Sequence, residues 1–335
     1  MHPQRTEGAE TWRQQLGRMR AAGLDTAMVL VADGRRALYG SRYLPVDSEV
    51  LEQLLPLAAR EGMELHAWIV ALRCNLPSIV AEHADWYSVS RNGDSSRDQP
   101  PYIPSYQWLC PTRRDVRGFL CSIVDELAQY DGLMGIHLDY IRHPDVILPV
   151  GLRPKYGLVQ DRELPEYDFC YCPVCRQAFS QQTGRDPLEL DDPASDEEWV
   201  RFRWRSVRET VAATAATARA RGKHITAAVF ATPSLARQYV RQEWDQWDLD
   251  AVLPMIYHYY YDQPPSWVPE AVREGVAALP DRVSLHAGLF IPRLEPDELP
   301  RVIEGSLDSG ADGVALFSYG AMTPAHFQAA GEVLG

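Results

Sequence analysis

Short, β-rich apolar runs alternate along this chain with blocks of helical periodicity. The runs cover residues 24–31, 65–70, 133–140, 225–230, 251–257, 283–289 and 313–318, with one more near 86–89 or 108–110. The blocks between them cover 48–61, 115–130, 197–221, 235–247, 269–279 and 296–309, and an amphipathic stretch precedes the first run. Parallel strands need a long crossover, so this alternation implies βαβ units. Eight strands at roughly 30–40 residues per unit is the arithmetic of a (β/α)8 barrel. The expectation is therefore an α/β fold, a (β/α)8 TIM barrel spanning 1–335 as a single domain. The distance from Asp139 to Ile225 leaves room for a long insertion after strand four, at 145–193. That segment is rich in proline, glycine and charge, and is expected to have little core of its own. An open doubly wound sheet is the alternative, but Ala32-Asp33-Gly34-Arg35-Arg36 is no glycine-rich phosphate loop.

Composition narrows the class of ligand. The 335 residues are 46% hydrophobic and 24% charged, which fits a globular chain rather than a disordered one. A formal net charge of −13 repels phosphate backbones and anionic lipid, so neither nucleic acid nor membrane is an expected partner. No stretch approaches the roughly 20 apolar residues of a membrane span. The polar first residues carry no secretory pattern, and six cysteines are too few for a disulfide scaffold in a chain this size. The expected location is cytoplasmic; the oligomeric state is left open, a homo-oligomer included.

In a barrel, chemistry collects at the C-terminal ends of strands. Strand four ends in Gly135-Ile136-His137-Leu138-Asp139-Tyr140-Ile141-Arg142-His143-Pro144, where an acid, a phenol, a guanidinium and an imidazole fall within five residues. Asp139 is the catalytic candidate; the plainer reading is a turn cap or a partner for Arg142. Strand six runs into Tyr257-His258-Tyr259-Tyr260-Tyr261-Asp262, aromatic faces suited to the C–H faces of sugar rings. Trp68, Arg73, Arg142, Phe230, Tyr257, His258, His286 and Tyr319 complete a substrate-binding shell, with Asp33 after strand one. Glycoside hydrolysis usually takes two carboxylates. Glu243 is the second catalytic candidate, although a solvated helix surface beside Arg237 or Arg241 explains it equally well. Asp33 and Asp262 are its rivals.

Cys170-x-Cys172-x-x-Cys175 supplies three thiolates from one tight turn, and Cys110 is the favoured fourth. One structural Zn2+ per chain is expected, with no organic cofactor and no catalytic role, because four protein ligands close the coordination sphere.

Several segments resemble the family 10-like glycosyl hydrolases, which include the hydrolase domain of bacterial poly-N-acetylglucosamine-processing proteins. They are residues 37–45, His66-Ala67-Trp68, the strand-four motif from Gly135 to Pro144, and Pro254-Met255-Ile256-Tyr257. The resemblance implies a (β/α)8 barrel acting on glycosidic bonds, with Asp139 matching the family's strand-four acid. Cys110-Pro111-Thr112 and Cys170-Tyr171-Cys172-Pro173-Val174-Cys175 are similar to the zinc-binding cysteines of family 42 β-galactosidases. That family carries an Asn-Glu pair at the end of strand four, whereas Asp139 is followed here by Tyr140 and Ile141, so its mechanism does not transfer. The expected activity is hydrolysis of an oligosaccharide or small glycoside. A catalytically silent carbohydrate-binding barrel is the alternative. A metal-dependent deacetylase or hydrolase using His137, His143 or His286 with Asp139 ranks last, since no His-x-His or His-Glu-x-x-His spacing supports it.

Overall fold

The computed structural model of the chain describes residues 1–3 and 7–335. Its first half runs α1 (Ala9–Ala21), β1 (Thr26–Ala32), α2 (Val50–Glu61), β2 (Glu64–Val70), α3 (Pro77–Glu82), α4 (Arg114–Ala128), β3 (Gly135–Asp139), α5 (Arg153–Tyr156) and α6 (Pro173–Thr183). Its second half runs α7 (Glu197–Arg219), β4 (His224–Phe230), α8 (Pro233–Val240), β5 (Ala251–Met255), α9 (Val268–Ala278), β6 (Ser284–Phe290), α10 (Leu299–Asp308), β7 (Gly313–Phe317) and α11 (Pro324–Leu334). The strands form one curled, all-parallel sheet in sequential order β1 to β7. Alternate residues settle which way each strand faces. Leu65, Ala67 and Ile69 of β2, Ile136 and Leu138 of β3, and Ile225, Ala227 and Val229 of β4 are buried outward against the helices. The intervening residues, among them His66, Trp68, His137, Asp139, Thr226 and Ala228, face the inside of the curl.

The helices begin where the sequence provides for them. Asp196 accepts from Trp199 N at the start of α7, and Thr232 does the same for Leu235 N at α8, so each satisfies an orphan donor of the first turn. Gly62 ends α2 at φ +65°, a left-handed position that glycine adopts without strain.

Two expectations need correction. Among the described residues seven strands form, not eight, and β2 pairs directly with β3. The third expected run is reduced to isolated bridges, Arg73 with Trp108 and Tyr87 with Leu109. Side chains there compete with a ladder: Trp108 N donates to Ser96 Oγ, and Ser96 Oγ donates to Trp108 O. The long connection therefore follows the third strand of the sheet. Second, that connection does have a core. Phe169, Tyr171 and Phe179 pack with Trp199 and Phe202 of α7 in a buried cluster separate from the main one. The Trp199 and Phe202 rings stack at 5.3 Å. Arg203 and Asp168, both buried, form an ion pair beneath them.

Candidate active site

Asp139 is the last residue of β3, and its carboxylate is held from two directions. Oδ1 accepts from the Tyr140 backbone N–H at 2.7 Å, and Oδ2 accepts from the Trp68 indole N–H at 3.1 Å. Tyr140 makes the sharp turn off the strand, at φ +53°. Burial pushes the Asp139 carboxyl above its usual range; the Tyr140 N–H, the Arg142 and Arg73 guanidiniums and the Trp68 N–H pull the other way without cancelling it.

Asp139 opens into a cavity of about 660 Å3 running through the inside of the sheet, within the range of small-molecule sites. Residues such as Gly288 and Ala315 leave that space unfilled. A Cβ on Gly288 would lie 2.5 Å from Pro254 O. Around Asp139 the wall is aromatic: Trp68 and Tyr257 each contact Phe317, at 6.0 and 5.6 Å between ring centroids. Met1 borders the same space, with Leu30 N donating to Met1 O at 3.1 Å, and the His2 ring lies 4.8 Å from Trp68. Lower in the cavity stand His66, His137, His224 and His286. Burial lowers His66 to about 4 and His137 to about 3, so both are neutral imidazoles at neutral pH. His137 Nδ1 lies 2.9 Å from Thr226 Oγ1.

Arg142 is buried beside Asp139 and ion-paired with Asp145 at 2.9 Å. Its guanidinium lies 4.9 Å from the Trp108 ring, 5.1 Å from Phe230 and 5.4 Å from Tyr140. Arg73 covers Tyr140 at 4.7 Å. The Tyr140 ring is thus flanked by two guanidiniums.

The structure brings Asp139, Trp68, Arg142, Phe230, Tyr257, His286 and Tyr319 to one cavity. It does not bring Glu243 there. Glu243 pairs with Arg208 of α7 at 3.2 Å; it is partly buried and lies outside any helix, so it is not the solvated helix surface beside Arg237 or Arg241 either. Asp33 caps its own turn, accepting from the Arg35 and Arg36 backbone N–H groups. His258 is buried outside the cavity lining; Arg73 does not line the cavity either, but covers the Tyr140 ring and acts on Asp139 through its charge. The sequence did not single out Asp145, nor Tyr102, Tyr106 and Tyr156, which also line the cavity, the last from α5. Strand parity does point to His137, two residues before Asp139 on the same face.

Cys110, Cys170, Cys172 and Cys175 converge, all buried, with sulfur atoms within 4.8 Å of one another. Cys110 Sγ lies 3.4 Å from Cys175 Sγ and 3.7 Å from Cys172 Sγ. A tetrahedral ion with Zn–S bonds of about 2.3 Å sets its sulfurs about 3.8 Å apart, so the donor set fits one. It is the group of three or more converging metal ligands found among the described residues; His137, His143 and His286 make no such group with Asp139.

No protein-family model matches the sequence, and no curated protein matches it. Its likeness is to solved structures. The glycoside hydrolase domain of PgaB (BpsB) from Bordetella bronchiseptica superposes with a TM-score of 0.71 at 15% identity, over 97% of this chain and 93% of that one. The catalytic domain of β-amylase from Paenibacillus polymyxa gives 0.70 at 12%, over 99% and 96%. Its structural neighbours are glycoside hydrolases. A β-galactosidase from the haloarchaeon Halorubrum lacusprofundi is a third, at 0.68 and 15% identity, over the whole of this chain and 57% of the other. At these identities the likeness is one of fold, and it gives the seven-stranded sheet a glycosidase-like architecture. No helix among the described residues is long and apolar enough to cross a membrane.

Proposed function

We propose that this chain is a glycoside hydrolase acting on an oligosaccharide or small glycoside, with Asp139 at the reacting bond. The observation that carries the reading is a buried carboxylate of raised pKa, fixed at a strand end and opening into an aromatic-walled cavity. Burial favours the protonated form of this carboxyl, the form able to protonate the leaving glycosidic oxygen. Trp68 and the Tyr140 N–H then receive the carboxylate that remains. Asp145, the other carboxylate lining this end of the cavity, is the counterpart we assign in place of Glu243. The ring faces of Trp68, Tyr257 and Phe317 suit the C–H faces of a pyranose, and the neutral imidazoles below suit its hydroxyls. The catalytically silent sugar-binding barrel is favoured by one observation, the ion pair that engages Asp145 with Arg142.

The four cysteines are assigned one structural zinc, which when bound would tie Cys110 to the segment around α6; they take no part in the reaction. Reduced thiols at these positions suit a reducing compartment. The deciding experiment is incubation of the protein with a panel of aryl glycosides and neutral oligosaccharides, reading release of chromophore or reducing ends. Turnover of any member supports the hydrolase, whereas saturable binding without turnover across the panel supports the silent barrel.

A further inference from the structure

The segment after β5 divides its aromatic residues by position. In the 3-10 turn His258–Tyr261, Tyr260 and Tyr261 line the cavity, Tyr261 also packing on the Trp267 ring at 5.4 Å, whereas Tyr259 projects outward with 42% of its surface exposed. Tyr259 is nevertheless continuous with the site. From Trp68, which holds Asp139, ring contacts lead to Phe317 at 6.0 Å, to Tyr257 at 5.6 Å, to Tyr260 at 5.8 Å and to Tyr259 at 6.3 Å. Each step is comparable with the width of one pyranose ring. The far end of this track is fixed rather than loose. Gly151 packs so closely on the turn that a Cβ there would lie 2.3 Å from Tyr259 O and 3.0 Å from Tyr260 O. The Arg293 guanidinium stands 4.2 Å from the Tyr259 ring centroid and braces the ring. Val150, next to Gly151, adds a second exposed apolar side chain at the same rim.

A large exposed aromatic ring, braced by a guanidinium and joined ring by ring to an aromatic-walled cavity, is suited to be a stacking platform. We infer that Tyr259, braced by Arg293, forms a distal subsite for a sugar unit of an oligosaccharide whose reacting bond lies at Asp139. The inference rests on the glycosidase reading and narrows it: the preferred substrate is a chain long enough to reach the rim, rather than a small glycoside. The occupant is a pyranose unit that offers its C–H face to the aromatic ring. The other end of the ligand lies in the cavity, so the rim adds affinity without touching the reacting atoms.

The test is calorimetric titration of the Asp139→Asn protein, in which turnover is expected to be slow on the time scale of the titration, with cello-, xylo-, manno- and chito-oligosaccharides of two to six units. In the series that binds, affinity should rise with length and then level off. Adding Tyr259→Ala should abolish the final rise, weakening the longest ligands about five- to tenfold, the worth of one aromatic contact. The shortest ligands that bind should keep their affinity, and Tyr259→Trp should restore the longer ones. An unchanged length dependence in Tyr259→Ala overturns the subsite while leaving the glycosidase reading intact. A uniform loss at every length also overturns it, since that marks a disturbed cavity. Failure of every series to bind overturns the carbohydrate reading and the subsite with it.

Discussion

The indole N–H of Trp68 donates to Asp139 Oδ2 at 3.1 Å, joining the inward faces of β2 and β3 at the head of the cavity. In that pairing Trp68 lies opposite His137 and Val70 opposite Asp139, so the bond crosses the sheet diagonally. It stabilises the charged carboxylate against a burial that favours the neutral acid. Trp68→Phe keeps the ring and removes the donor. The Asp139 pKa should then rise, and the alkaline limb of the pH–kcat profile should move to higher pH. A limb that stays in place, or moves down, contradicts the role given to Trp68.

The same carboxyl sets a dependence of stability on pH. Its folded pKa lies above the unfolded value of about 3.9. The contribution is full below that value and is lost as pH rises through the folded pKa. Asp139→Asn should therefore gain in melting temperature relative to wild type as pH is raised over this window. Parallel melting curves across it would show that Asp139 carries no such shift.

The interior histidines act in the opposite direction. His66 and His137, depressed to about 4 and about 3, contribute stability that is full above the unfolded value of about 6.5 and lost as pH falls toward the folded values. Acidification from pH 7 to 4 should cost about 3 kcal/mol for His66 alone. Urea unfolding across this range should show the loss, and His66→Gln should blunt it.

The connection after β3 is held by a buried charge pair as well as by its aromatic cluster. Asp168→Ala leaves Arg203 buried without its carboxylate and should cost about 3–5 kcal/mol. Asp168→Ala with Arg203→Met should recover part of that loss, because no uncompensated charge remains. Equal destabilisation by the single and double changes would mean that packing, not charge, holds this segment.

Metal analysis of protein purified without chelator should give about one zinc per chain. Cys172→Ser should lose the metal and lower the melting temperature on the order of 5–10 °C, since binding at such sites is folding free energy. Metal-free protein melting like the native sample would remove zinc from the account.

The βαβ order, the strand-end position of Asp139 and the four cysteines were legible because each rests on a local pattern: period two, a strand terminus, a short spacing. The missing eighth strand was not. Trp108 and Leu109 are apolar enough for a ladder, but Trp108 N donates to Ser96 Oγ, and Trp108 O is shared between Ser96 Oγ and the Ser88 N–H, so only isolated bridges form. Glu243 misled for a similar reason. Its neighbours Gln242 and Trp244 are buried, yet its own carboxylate turns to Arg208, a partner 35 residues away. The core around Trp199 escaped notice because α7 supplies Trp199 and Phe202 to it from outside 145–193. Tyr102 and Tyr106 reach the cavity from irregular segments and Tyr156 from the single-turn helix α5, too short for periodicity to mark direction.

The central claim is that Asp139 acts on a glycosidic bond, and the most direct test is kcat on the best substrate from the panel for wild type and Asp139→Asn at matched folding. Losing the proton donor should lower kcat by about 10²–10⁴-fold, with substrate affinity within a few fold of wild type. Turnover by Asp139→Asn within a factor of two of wild type would contradict it.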